Sequence, residues 1–211
     1  MLELSALLSV LDFGGVGVFS ASGALAAARR KHDIVTFAFF GAVTGVGGGT
    51  LRDLLIGAPV FWVQRPEYIE VCLVAAVAVW VLGSGPWRER FLLWSDALGM
   101  AAYCVVGAMK AQALGVPPLP SVVMGVLTAS FGGIIRDVLA GEPSVLLRRE
   151  LYITAALAGA AGFVGARSLG LDLTLSGLIG FALAFTIRAG AILFDWRLPG
   201  FHGRTPHGED S

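Results

Sequence analysis

Seven long apolar stretches, separated by short polar segments, set the pattern of this 211-residue chain. They run over roughly 4–28, 34–57, 68–85, 91–113, 118–141, 150–168 and 173–194. Each meets or approaches the length of about 20 mostly apolar residues that carries a helix across a bilayer. The separators are explicit, among them Arg29-Arg30-Lys31-His32-Asp33, Gln64-Arg65-Pro66-Glu67 and Arg148-Arg149-Glu150. Period-two alternation is nowhere sustained, which argues against a barrel. The pattern predicts an all-α integral membrane protein with seven transmembrane helices. It forms a single transmembrane domain over 1–197, followed by a polar cytoplasmic tail over 198–211.

Composition agrees. The chain is 56% hydrophobic and 14% charged, with mean hydropathy +0.78, against roughly 25% charged residues in a soluble domain. This excludes a disordered chain, a coiled coil and most soluble enzymes. Fifteen basic and fifteen acidic residues balance, so no nucleic-acid footprint is expected. Cys72 and Cys104 sit in apolar runs and read as small core residues. The first segment starts Met-Leu-Glu, without the basic region of a signal peptide, and is expected to remain as a span.

Charge placement sets an expected topology. Arg29, Arg30, Lys31, Arg88, Arg90, Arg148, Arg149, Arg197 and Arg204 fall on one face, and Arg65 and Arg167 on the other, with Lys110 near the end of span four. The positive-inside rule then puts the N-terminus outside and the C-terminus in the cytoplasm.

An offset of 84 residues aligns the chain with itself, without gaps. Between Asp12 and Ile69, 17 of 58 positions are identical, well beyond chance for this composition. Asp12 meets Asp96, Thr44 meets Thr128, and Tyr68-Ile69 meets Tyr152-Ile153. Gly48-Gly49-x-x-Arg52-Asp53 meets Gly132-Gly133-x-x-Arg136-Asp137. The repeats cover about 4–85 and 88–168. Each holds three spans, an odd number, so the second is expected to cross the membrane inverted, with the seventh helix over 173–194 as an appendix. Inverted repeats are typical of proteins that move solutes; a duplicated bundle without transport is the plainer alternative.

Chemistry concentrates in spans two and five. Glycine costs about 1 kcal/mol relative to alanine inside a helix, so Gly47, Gly48, Gly49, Gly132 and Gly133, with Ser130, suggest breaks well inside the membrane. Broken backbone there is tolerated only when buried in protein or facing a water-filled cavity, and its freed carbonyls suit a cation. Close helix packing is the other reading of these glycines. Neighbours on a helix point about 100° apart, so Arg52 and Arg136 are expected to pair across helices rather than with Asp53 and Asp137. Snorkelling to headgroups is the alternative. Lys110 and Arg188 break the repeat and are candidate gate charges, since one charge crossing the field is worth about 2.3 kcal/mol per 100 mV. Asp12 and Asp96 read as first-turn helix acids, with Ser95-Asp96 resembling an N-cap. His32, His202 and His207 lie in a loop and the tail, so neither a fixed metal nor a cofactor is expected. No catalytic constellation stands out, and an enzyme is not expected.

On the two Gly-Gly-x-x-Arg-Asp segments, the seven spans and the repeat, with Phe61-Trp62 downstream of the first segment, the chain resembles prokaryotic members of the trimeric intracellular cation channel family. The resemblance implies a homotrimer in the prokaryotic inner membrane, in contact with its lipids. It implies one pore per protomer, conducting monovalent cations and mainly potassium, lined by the second and fifth helices. It nominates Gly47, Gly48, Gly49, Ser130, Gly132 and Gly133 as helix-break and pore residues. Arg52, Asp53, Arg136 and Asp137 become gate or pore-mouth charges. Animal members carry a Lys-Glu-Val motif where this chain reads Ser-Phe-Gly-Gly, a departure that argues against lipid gating of that kind. Some bacterial relatives are linked to uptake of small amino acids, which keeps a glycine carrier as the alternative.

Overall fold

The computed structural model describes residues 2–83, 85–144 and 151–198, without the side chains of 2–11, 88 and 89. Arg148, Arg149 and the tail residues His202, Arg204 and His207 therefore lie outside the described residues. The chain forms α1 (Leu2–Arg29), α2 (Ile34–Leu55), α3 (Phe61–Gln64), α4 (Glu67–Leu82), α5 (Pro86–Ala113), α6 (Pro118–Ala140), α7 (Tyr152–Ser168) and α8 (Leu173–Phe194). All but the four-residue α3 follow the apolar stretches closely. Four of them, Ile34–Leu55, Arg90–Ala113, Pro118–Ala140 and Leu173–Phe194, are long and apolar enough to cross a membrane.

Local chemistry sets several of these boundaries. Asp33 caps α2, its carboxylate accepting the Thr36 N–H at 2.8 Å, and Asp172 does the same for α8 through Leu175 N–H at 3.0 Å. Proline opens α5 and α6 at a position where its missing N–H costs nothing. Gly141 closes α6 in the left-handed region, at φ 64°, which glycine adopts without a Cβ penalty.

Helices α1, α2 and α4 pack on one another, as do α5, α6 and α7, and α8 lies against α5 and α7. The two groups join chiefly where α2 crosses α6. Val16, Phe19, Met100, Cys104 and Phe163 fill the shared core. Large apolar side chains such as Val35, Val74, Val81 and Leu178 remain exposed at the periphery, as expected of helices whose solvent is lipid rather than water.

Candidate functional site

The α2–α6 crossing overturns the expected helix breaks. Both helices run uninterrupted through their glycines. A Cβ on Gly48 would overlap the Thr128 carbonyl oxygen, and one on Gly132 would overlap the Thr44 carbonyl oxygen. The glycines let two backbones touch, which is the packing role of small residues between membrane helices. Ser130 bonds within its own helix, its hydroxyl donating to the Val126 carbonyl at 2.7 Å.

Beside the crossing lies a cavity of about 160 Å³. Gly48, Gly49 and Gly132 border it, while Gly47, Ser130 and Gly133 are not among its lining residues. Its polar groups come from five helices: Asp12 of α1, Thr44 and Arg52 of α2, the Tyr68 hydroxyl of α4, Tyr103 and Lys110 of α5, and Thr128 of α6. Val16, Phe19, Phe61 and Tyr68 supply apolar wall.

The ionisable groups do not pair as expected. Arg52 bonds its own neighbour, Nε to Asp53 Oδ1 at 2.8 Å, and Arg136 reaches Asp137 Oδ1 through Nε at 2.9 Å and Nη2 at 2.7 Å. The 100° step separates Cα–Cβ directions only, and a four-bond arginine stem curls back over the turn. A fully buried carboxylate also requires charge and hydrogen bonds close by. Cross-helix partners are added to this pairing. Lys110 Nζ joins Asp53 Oδ1 at 2.8 Å, and Arg136 Nη1 donates to Ser22 Oγ on α1. Asp53 Oδ2 accepts the Phe61 N–H at 3.0 Å. Thus Asp53 ties together α2, α5 and α3.

Asp12 and Asp96 are not helix-start residues. α1 begins ten residues before Asp12, and α5 begins at Pro86 with Gly85 as its cap. Each acid instead meets a tyrosine at repeat-equivalent positions. The Tyr68 hydroxyl donates to Asp12 Oδ2, and Tyr103 donates to the Asp12 carbonyl at 2.6 Å and to its Oδ1 at 3.0 Å. Asp96 hydrogen-bonds with the Tyr152 hydroxyl, and the positive charges of Arg136 and Arg188 act on it. The Arg188 guanidinium also covers the Tyr152 ring, 5.0 Å from its centroid. Asp195 lies beyond the end of α8 and pairs with Arg197 at 2.7 Å.

Tyr68, Tyr103, Tyr152 and Ser22 are the residues that sequence reasoning missed. A signal for two of them existed, because Tyr68 and Tyr152 are identical across the repeat, as are Asp12 and Asp96.

A protein-family model described as "Glycine transporter" matches twice, over residues 9–84 and 93–168, in the same 84-residue register as the repeat. The solved structure of the TRIC trimeric intracellular cation channel orthologue from Rhodobacter sphaeroides is 48% identical. It covers 90% of this chain and 99% of its own, with a TM-score of 0.84. The chain belongs to the prokaryotic TRIC family. Another solved TRIC cation channel, 28% identical, also superposes with a TM-score of 0.84 over 93% of this chain and 98% of its own. The UPF0126 inner membrane protein YadS of Escherichia coli (strain K12) is 39% identical over 197 residues, 90% of this chain and 94% of that protein. Within the TRIC family, this chain is an all-helical, multi-pass membrane protein whose two Arg-Asp pairs stand beside the α2–α6 crossing.

Proposed function

We propose that this TRIC protein is a cation channel, mainly potassium-permeable, working as a homotrimer with one pore per protomer in the inner membrane. In this reading all seven long helices span the membrane as two inverted three-helix repeats plus α8, within one domain over 1–197. The N-terminus lies outside and the C-terminal tail in the cytoplasm, and lipid meets the exposed apolar faces. The observation that carries the reading is the cavity beside the α2–α6 crossing. Ionisable groups inside a membrane are expensive and usually border a pathway, and here Asp12, Arg52 and Lys110 border one cavity together. Ions pass along the glycine-lined side of α2 and α6, past the Asp12 carboxylate. Lys110, bridged to Asp53, is the cation that obstructs them, and the Arg136–Asp137 pair of the second repeat and Arg188 of α8 act as gate charges.

A glycine carrier is the second reading. It is favoured by the matching family model and by a cavity that offers a carboxylate at Asp12 and cations at Arg52 and Lys110. One experiment separates them: purified protein in a planar bilayer under a KCl gradient. Unitary currents reversing near the potassium potential support the channel. Absence of current, with saturable glycine uptake into liposomes, overturns it in favour of the carrier.

A further inference from the structure

The turn between α2 and α4 carries more structure than a connector needs. After α2 the chain turns at Gly57, whose φ is 67° and which has open space around it. It then folds α3 back onto α2. The Phe61 ring lies on Gly49 so closely that a Cβ there would stand 2.6 Å from Phe61 Cε1. The same ring packs edge-on against Tyr68, with centroids 4.8 Å apart, and forms part of the cavity wall. The Trp62 indole N–H donates to Thr50 Oγ1 at 2.9 Å, and that hydroxyl donates to the Val46 carbonyl at 2.7 Å. The backbone is held by Asp53, which accepts the Phe61 N–H on Oδ2 while Arg52 and Lys110 share Oδ1.

We propose that the Phe61–Trp62 turn is a movable lid over the cavity and that Asp53 is the positioning residue coupling the lid to Lys110. The inference rests on the cavity being the transport path. Lys110 is the partner best able to move, since its side chain is 33% exposed while those of Arg52 and Asp53 are 6% and 0%. When the Lys110 ammonium leaves, the carboxylate loses one of its two cationic restraints and turns toward Arg52. The Phe61 N–H then loses its acceptor. Gly57, at the near end of the turn, absorbs the backbone rotation that lifts the ring from Gly49. The lid is one-sided: the repeat-equivalents of Phe61 and Trp62 are Val145 and Leu146, which offer neither an aromatic plate nor an indole donor.

The test reads the lid directly, without relying on current. A variant retaining Trp62 as its sole tryptophan, with Trp80, Trp87, Trp94 and Trp196 changed to phenylalanine, is placed in liposomes. Iodide quenching of its emission is then measured. Lys110→Gln and Asp53→Asn are each expected to raise quenching, and Lys110→Gln is expected to add nothing in the Asp53→Asn background. Asp53→Glu is expected to restore part of the protection. In bilayers, Trp62→Phe, which removes one neutral hydrogen bond from the lid, is expected to raise open probability roughly fivefold. Unchanged quenching in Lys110→Gln overturns the lid. Additive effects of Lys110→Gln and Asp53→Asn overturn the coupling through Asp53. A lid that responds in a wild-type protein carrying no current would overturn the channel reading alone.

Discussion

Gly48 of α2 rests on the Thr128 carbonyl of α6, and Gly132 of α6 rests on the Thr44 carbonyl of α2. The two contacts are related by the 84-residue register, so one duplicated glycine builds both halves of the crossing. Neither position has room for a side chain, because the obstacle is backbone on each side. Overpacking a tight core costs about 1–3 kcal/mol, and Gly48→Ala or Gly132→Ala is expected to lower stability by that order in a thermal melt in detergent. Gly47→Ala is the control: its Cβ would meet the flexible end of Ile135, 3.3 Å away, and Gly132 Cα at an ordinary contact distance of 3.6 Å, and its melt should stay close to wild type.

Lys110 places a positive charge on the cavity wall, and its effect on cations should follow screening. Lys110→Gln is expected to raise single-channel potassium conductance. The gain should shrink as KCl rises, since the Debye length falls from about 10 Å at 0.1 M to about 3 Å at 1 M. A conductance ratio independent of salt would remove Lys110 from the path.

The Asp12–Tyr68 pair separates hydrogen bonding from packing. Tyr68→Phe keeps the ring against Phe13 and Phe61 but deletes a donor to the Asp12 carboxylate. A hydrogen bond to a charged group is worth about 1.5–3 kcal/mol, and a loss toward the lower end is expected because Tyr103 still donates to Asp12. Thermal unfolding of Tyr68→Phe beside Tyr103→Phe and the double variant measures it. Losses in the double variant larger than the sum would show that the two hydroxyls substitute for one another.

Asp33 gives the N-terminus of α2 a pH dependence. The Thr36 backbone N–H stabilises its carboxylate and holds the pKa below the usual 3.8. A depressed folded-state pKa adds stability that is present above the unfolded value and lost as pH falls through the folded one. Wild-type protein is therefore expected to lose more thermal stability between pH 5 and pH 2 than Asp33→Asn, which keeps a capping oxygen but does not titrate. Identical pH profiles would show that the cap is not coupled to unfolding.

Much of the architecture was legible along the chain because its causes are local. Bilayer thickness demands long apolar runs, and these bracket seven of the eight helices within a few residues. Capping acids, N-terminal prolines and a C-terminal glycine mark several ends. The duplication was readable as identity at a fixed offset, and the same register picked out Asp12, Tyr68, Thr44, Gly48 and Arg52 with their mates. Which groups touch was not readable, because contact depends on how side chains bend and how helices cross. Helical phase separates Arg52 from Asp53, yet burial of the carboxylate brings the guanidinium back to it. Three glycines in succession suggest a break when only propensity is counted; in the tertiary structure α2 runs through them, and Gly48 is where α2 and α6 approach closer than any side chain allows, while Gly49 makes room for the Phe61 ring. Phe61 and Trp62 of α3 sit eight and nine positions beyond Asp53, and only the fold returns them to the helix that the chain left. Sequence alone determined a duplicated, membrane-embedded helical protein with charges in its interior. Tertiary packing decided the partners of those charges, since a buried charge must be met by whatever the neighbouring helices present.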